Sequence, residues 1–381
     1  MRIAQVAPLY ESVPPHGYGG TERVVSYLTE ELVSMGHDVT LFASGDSVTQ
    51  AELIAPCPRA LRLDKECVDQ NVHHVVLLDQ VFRQASRFDV VHFHIDYLHF
   101  PLSLRLRPPR LTTLHGRLDL PDLRELYRVF AQEPLVSISD SQRRPLAGVN
   151  WLGTVHHGLP PDLFRCQERR GKYLAFLGRV SPEKGLDQAI AIAQRVGVDL
   201  KIAAKVDPKD QCYHDEVIKP LLRAAGSRAE FVGEVGGIAK EAFLGNALAL
   251  LFPIDWPEPF GLVMIEAMAC GTPVIAYPRG SVLEVMEDGV TGFVVNGIDE
   301  AVEAVARVDR LDRRGCRQVF EQRFTARRMA SDYLALYEGI ADGRPRRKPP
   351  GRPAASWTMV DGEEAPAALP AIARSTGDTP A

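Results

Sequence analysis

Several things are missing from this chain of 381 residues, and each absence narrows what it can be. No run approaches the roughly 18 consecutive apolar residues that a membrane-spanning helix needs. Neither sign of charge dominates: 44 Lys and Arg stand against 49 Asp and Glu, a formal net charge of −5. Composition therefore gives no electrostatic case for a nucleic-acid partner, although a local pocket can still be positive. The six cysteines, at 57, 67, 166, 212, 270 and 316, form no C-x-x-C pair and no zinc-like spacing, so reduced thiols are expected. The dinucleotide fingerprint G-x-G-x-x-G is absent. Met1 to Val6 reads as a strand rather than an apolar leader. A cytoplasmic protein is expected, with peripheral contact at a membrane surface left open.

What is present is an alternation of short apolar strands and amphipathic helices, the pattern of parallel sheets flanked by helices. Ile3 to Ala7 predicts a strand, and a Pro- and Gly-rich loop follows to Gly20. From Thr21 to about Ser34, Val24, Val25, Leu28, Leu32 and Val33 share one helical stripe. His37 to Ala43 returns as the next strand. Further strands are predicted at 90–94, 111–114 and 135–138. The alternation breaks at Gly158-Leu159-Pro160-Pro161 and the charged run Gln167 to Arg170, the expected linker. A second series opens at Tyr173, with helices near 183–196, 213–225, 237–246, 260–269, 281–287 and 299–308. Strands between them are predicted at 200–204, 230–232, 249–253, 273–276 and 292–295. Two doubly wound α/β domains facing across a cleft are predicted, residues 1–165 and 166–330, with ligands beyond the carboxyl ends of the strands. The segment 342–381, rich in Pro, Ala, Gly and charge, is expected to be a disordered tail. Its basic run, Arg344, Arg346, Arg347 and Lys348, reads as solvated.

Four strand-to-helix junctions carry chemistry. His16 to Glu22 places Gly19 and Gly20 ahead of a helix, where bare backbone N–H groups can meet an anion. A flexible loop explains these glycines equally well. In Gly178-Arg179-Val180-Ser181-Pro182-Glu183-Lys184-Gly185, Ser181 is suited to cap and Pro182 to open a helix. Arg179 and Lys184 then flank its N-terminus. The dipole disfavours cations there, so two ordinary surface cations are the weaker reading; a diphosphate suits the bidentate Arg and the point charge of Lys. In Trp256 to Glu266, two prolines present Glu258 on an extended loop, a helix starts near Phe260, and Glu266 lies in an otherwise apolar helix. A buried carboxylate needs hydrogen-bond donors, which ribose hydroxyls, a structural Arg or backbone groups would supply. His115 ends a strand, in Thr112 to Arg117. His92, His94 and Asp96 share one strand face, yet no third metal ligand or second shell can be named, and they read as interior or acceptor-side residues.

Together, in this order and spacing, these segments resemble glycosyltransferase family 4, over about residues 1–341. Glu258 and Glu266 with seven residues between, in Pro-Phe-Gly-Leu and followed by Glu-Ala-Met-Ala-Cys-Gly-Thr-Pro-Val, are the most specific part. The resemblance implies a GT-B fold of two Rossmann-like domains, and transfer of a hexose from a nucleotide-diphosphate sugar to a hydroxyl acceptor with retention. It implies no metal or other cofactor, the nucleotide-sugar being a co-substrate; a UDP-sugar, UDP-glucose first, is favoured on family frequency. By the same resemblance Arg179 and Lys184 hold the diphosphate, Glu266 the ribose, and Glu258 with the amides of Phe260, Gly261 and Leu262 the sugar. Gly19 and Gly20 approach the phosphates, His115 lies beside the transferred sugar, and the base rests near Gly233-Glu234-Val235. The last helices, Arg317 to about Ile340, cross back to the N-terminal domain, with 331–341 the crossing segment. Lys205 departs from the glycines of many relatives and stays outside the expected site. The acceptor carries no readable code; Arg105, Arg107 and Arg110 suit an anionic one or a solvated loop. A glycoside phosphorylase lacks a marked cofactor lysine here. An epimerase and a non-catalytic nucleotide-sugar-binding scaffold are the alternatives that the intact motif set disfavours.

Overall fold

The computed structural model describes residues 1–17 and 19–342. The expectations for 343–381, the tail's basic run included, lie outside the described residues. Two parallel sheets organise the chain. The first contains β1 (Arg2–Val6), β2 (Asp38–Phe42), β3 (Glu52–Ile54), β4 (Val90–Phe93), β5 (Arg110–Thr113), β6 (Leu135–Ser137) and β7 (Trp151–Thr154), in the order β3-β2-β1-β4-β5-β6-β7. The second contains β8 (Tyr173–Arg179), β9 (Leu200–Lys205), β10 (Ala229–Gly233), β11 (Ala247–Phe252), β12 (Val274–Ala276) and β13 (Gly292–Val294), in the order β10-β9-β8-β11-β12-β13. This is the GT-B architecture the sequence predicts. β3, β7 and the helices Gln70–Gln84 and Pro121–Val129 join it without having been expected.

Central strands covered on both faces read as continuous apolar runs, and β11 shows why: all six residues of Ala-Leu-Ala-Leu-Leu-Phe are buried. The helix Gly20–Ser34 buries Val24, Val25, Leu28 and Leu32, the stripe its 3.6-residue period sets up. The helix Ala326–Ala341 leaves the second sheet and packs on the first, its Met329, Ala330, Tyr333, Leu334 and Tyr337 sharing a core with Ile3, Leu28, Val90 and Leu111. It starts upstream of the 331–341 span expected for a crossing segment. No helix among the described residues is long and apolar enough to cross a membrane.

One local expectation fails. The predicted helix from 183 is split: a 3-10 turn, Pro182–Lys184, is followed by the α-helix Leu186–Val196, with Gly185 between them at φ 68°. Ser181 makes no capping bond. The left-handed Gly185 lets the chain turn against the end of β11, which a continuous helix could not do.

Candidate functional site

In each sheet the strand order reverses between two neighbours, β1 and β4 in the first, β8 and β11 in the second. Doubly wound sheets hold ligands at the carboxyl ends of such pairs. Both reversal points open into one cleft of about 750 Å³. Gly19, Gly20, His115, Arg179, Lys184, Val235, Glu258, Phe260, Gly261, Leu262 and Glu266 all line it. An ideal Cβ on Gly20 would lie 3.7 Å from Leu262 Cδ1, so two helix N-termini meet across the cleft. Those helices, Gly20–Ser34 and Leu262–Ala269, both start without a side-chain cap. Their first N–H groups and the favourable end of each dipole are left for an anion.

On the second sheet's wall the charged groups are paired with one another. Lys184 Nζ donates to Glu258 Oε2 at 2.5 Å, and Trp256 Nε1 donates to the same oxygen at 2.8 Å. The ammonium also lies 4.7 Å from the centre of the Trp256 ring, a cation–π contact that anchors it. Arg179 is surrounded by acids: Glu183 at 2.5 Å, Asp210 at 3.3 Å and Asp207 at 3.8 Å. The contact with Asp210 is made by Nε, which is buried and makes no hydrogen bond of good geometry. Lys205, at the end of β9, lines the cleft and lies 3.3 Å from Asp207. The partner of buried Glu266 is Lys240, whose Nζ donates at 2.8 Å. The sequence reading weighed ribose, an Arg or the backbone for that carboxylate and passed over this lysine.

The first sheet's wall carries neutral imidazoles. Burial pushes His115 down to about 3 and His94, His92 and His157 well below the ordinary histidine range. His115 and His157 stack at 5.3 Å, and His157 meets the Phe260 ring edge at 4.8 Å. Both ring nitrogens of His92 and of His94 are engaged with protein groups; His92 is interior, and His94, itself buried, also lines the cleft. Among the described residues no group of three His, Cys, Asp or Glu side chains is arranged to hold a metal ion. Of the arginines considered for an acceptor, Arg110 is taken by the buried Glu133 in a two-point pair at 2.9 and 3.0 Å. Arg105 and Arg107 are exposed and do not line the cleft.

Two family models match the chain: "Glycosyltransferase Family 4" over residues 18–196 and "Glycosyl transferases group 1" over residues 167–313. The chain belongs to glycosyltransferase family 4. This transferase is 26% identical to a glycogen synthase of Mycobacterium tuberculosis over 412 aligned positions, covering 91% of its own length and 97% of the relative's. Among solved structures it is similar to AviGT4, a glycosyltransferase involved in avilamycin A biosynthesis, at 25% identity and TM-score 0.70, covering 90% of this chain and 98% of that one. Anabaena HepE in complex with UDP and glucose shares the fold at 18% identity and TM-score 0.69, over 89% of this chain and all of that one.

The cleft of the transferase also holds residues the sequence reading did not single out. Trp256 opens the segment that presents Glu258, and in the fold its ring becomes the seat of Lys184. His157 precedes the linker glycine, Gly158, and comes to the cleft because the chain crosses between the sheets there. Glu22, buried in the first turn of Gly20–Ser34, is raised to about 7 by burial, against opposing backbone N–H donors and Arg62. The folded chain therefore holds this proton more tightly than the unfolded chain, whose ordinary value is 4.5. Stability falls as pH rises from about 4.5 to about 7, by on the order of 3 kcal/mol. Glu22→Gln is expected to match the parent at pH 4 and exceed it at pH 8 in denaturant midpoint; equal slopes with pH would show that Glu22 ionises freely.

Proposed function

We propose that this transferase moves a hexose from a UDP-sugar, with UDP-glucose the first candidate, to a hydroxyl acceptor, with retention of anomeric configuration and without a metal ion. The observation that carries the reading is the convergence of Arg179, Lys184, Glu258 and Glu266 with two uncapped helix N-termini in one cleft. A diphosphate is the ligand that this charge pattern suits. Arg179 and Lys184 take its oxygens in place of their present carboxylate partners and neutralise the charge that grows on the leaving group, the work a divalent cation would otherwise do. Gly19, Gly20 and the N–H groups of the Gly20–Ser34 helix approach it from the opposite wall. Glu266, held by Lys240, accepts from the ribose hydroxyls, and the base rests beside Val235. Glu258 and the amides of Phe260, Gly261 and Leu262 orient the sugar, with His115 at its far side. Residues 1–165 form the acceptor half and 166–330 the donor half. The complex of HepE with UDP and glucose supports UDP as the nucleotide.

Retention through a carboxylate nucleophile needs a carboxylate free to attack. Glu258 Oε2 keeps the Trp256 N–H as a donor once Lys184 turns to the diphosphate, which suits orientation rather than attack. The acceptor hydroxyl therefore approaches on the face the diphosphate leaves, and a diphosphate oxygen takes its proton. Proton NMR of the first product formed from UDP-α-glucose, with chelator present, tests this. An α-linked product is expected; a β-linked product, or turnover abolished by chelator, would contradict it.

A further inference from the structure

His115 is tied to the far side of its sheet by an unbroken line of buried hydrogen bonds. His94 Nδ1 faces His115 Nε2 at 2.9 Å, and His94 Nε2 faces Gln5 Oε1 at 2.8 Å. Gln5 Nε2 donates to the Tyr337 hydroxyl at 3.0 Å, and Tyr337 in turn lies 2.8 Å from His92 Nδ1. His92 Nε2 meets Thr113 Oγ1 at 2.7 Å, which meets the Tyr333 hydroxyl at 2.9 Å. Gln5 comes from the middle of β1, His92 and His94 from β4 and its end, and both tyrosines from the helix Ala326–Ala341. At the other end, His115 Nδ1 is buried and has no partner, although His115 lines the cleft.

The chain of bonds has a direction. An amide oxygen cannot donate, so His94 Nε2 carries the proton that reaches Gln5 Oε1. A neutral imidazole has one N–H, which leaves His94 Nδ1 as an acceptor. His115 must then donate through Nε2, and its Nδ1 is a bare lone pair. Burial keeps both rings neutral, so neither nitrogen escapes this assignment by adding a proton. The Gln5 amide is the element that sets the direction, since turning it by 180° would reverse every bond up to His115. In the fold its Nε2 donates to the Tyr337 hydroxyl, whose own proton is then available to His92 Nδ1.

We propose that Gln5, His94 and Tyr337 are positioning residues that fix His115 as its Nε2–H tautomer, so that the cleft meets the transferred sugar with a hydrogen-bond acceptor at Nδ1. The catalytic consequence rests on the sugar-transfer reading above; the tautomer itself does not. A residue of the helix Ala326–Ala341 is thereby wired to the reaction centre through the sheet, and a sugar hydroxyl, a donor in that bond, is what Nδ1 selects.

The test is the nitrogen-15 spectrum of the full chain, histidine-labelled and ligand-free, with His115 assigned by its loss in His115→Asn. The expected result is a protonated Nε2 and a bare Nδ1 in the parent, mixed tautomers in Tyr337→Phe, and the parent pattern in Tyr333→Phe. The last variant removes an equally buried hydroxyl that does not touch Gln5. Turnover should fall about tenfold in Tyr337→Phe, the value of one lost hydrogen bond, with UDP affinity unchanged. A protonated Nδ1 in the parent would overturn the assignment even if no variant folds. A tautomer unmoved by Tyr337→Phe would overturn the positioning role. A correct tautomer in a protein that transfers no sugar would instead count against the transferase reading alone.

Discussion

Lys184→Ala is expected to lower turnover by roughly a hundredfold or more while leaving the thermal midpoint close to that of the parent. The lysine is partly exposed on the cleft wall, with 17% of its side chain accessible, so its removal opens no core cavity. What is lost is the positive charge proposed to meet the leaving diphosphate, a charge seated on Trp256 at 4.7 Å and tied to Glu258. Without it Glu258 retains only the Trp256 donor and faces the incoming donor with its own negative charge uncompensated, which adds repulsion to the lost attraction. Arg179→Ala is expected to behave alike. Its effect should be the larger on binding, because the departing guanidinium leaves Glu183, Asp207 and Asp210 uncompensated beside the phosphates. Steady-state turnover and midpoint measured on both variants check this, and near-parental rates in both would remove the proposed diphosphate site.

Gly185→Ala is expected to destabilise the protein by about 3 kcal/mol or more, with activity falling along with it. Two costs add. The residue has φ 68°, where a side chain costs about 1–2 kcal/mol, and an ideal Cβ would lie 2.1 Å from the Pro253 carbonyl oxygen. That carbonyl follows β11 directly, in a sheet core that does not yield, so the 3-10 turn bearing Lys184 must move instead. Gly197 separates the two costs. It has the same φ of 68°, but its Cβ would meet only the Arg228 guanidinium at 3.3 Å, the far end of a flexible side chain. Gly197→Ala should therefore show the backbone cost alone and leave transfer intact. Denaturant midpoints of the two variants decide the matter; equal losses would mean that the contact with Pro253 relaxes freely.

The sequence announces the fold wherever an element is long and fully apolar, as at β8, β9 and β11, or carries a clear stripe, as at Gly20–Ser34. It is silent where tertiary contact makes the element. β3 has three residues and draws its regularity from pairing with β2. The helix Gln70–Gln84 buries only His74, Leu77, Leu78 and Val81 while Val72, Val75 and Val76 face outward, so its period is blurred. Gly185 is the reverse case: Ser181-Pro182 is a good local start for a helix, and the close approach of Pro253 overrides it.

Arg179, Lys184 and His115 were legible as cleft residues because each stands at a strand end or beside a helix start, and Glu266 because a carboxylate interrupts an apolar helix. Their partners were not. Lys240, Trp256 and Tyr337 sit 26, 72 and 222 residues from Glu266, Lys184 and His115, and no local pattern links such pairs. The same distance in sequence hides the line of hydrogen bonds from Tyr337 to His115, which exists only because the helix Ala326–Ala341 returns to the first sheet. The carboxylates around Arg179 show a further limit: residue types suggested two cations awaiting an anion, whereas the folded cleft has already matched them with acids that a ligand must displace.

On the proposed reading this cleft holds a uridine diphosphate through Arg179, Lys184 and Glu266 without a metal ion. Calorimetric titration of the full chain with UDP, GDP and ADP in the presence of chelator tests it most directly, with Lys184→Ala and Glu266→Ala titrated alongside. The account predicts binding of UDP in preference to GDP and ADP, weakened at least tenfold, about 1.4 kcal/mol, in each variant. Equal affinity for UDP in parent and variants, or binding that appears only when a divalent metal is restored, would contradict it.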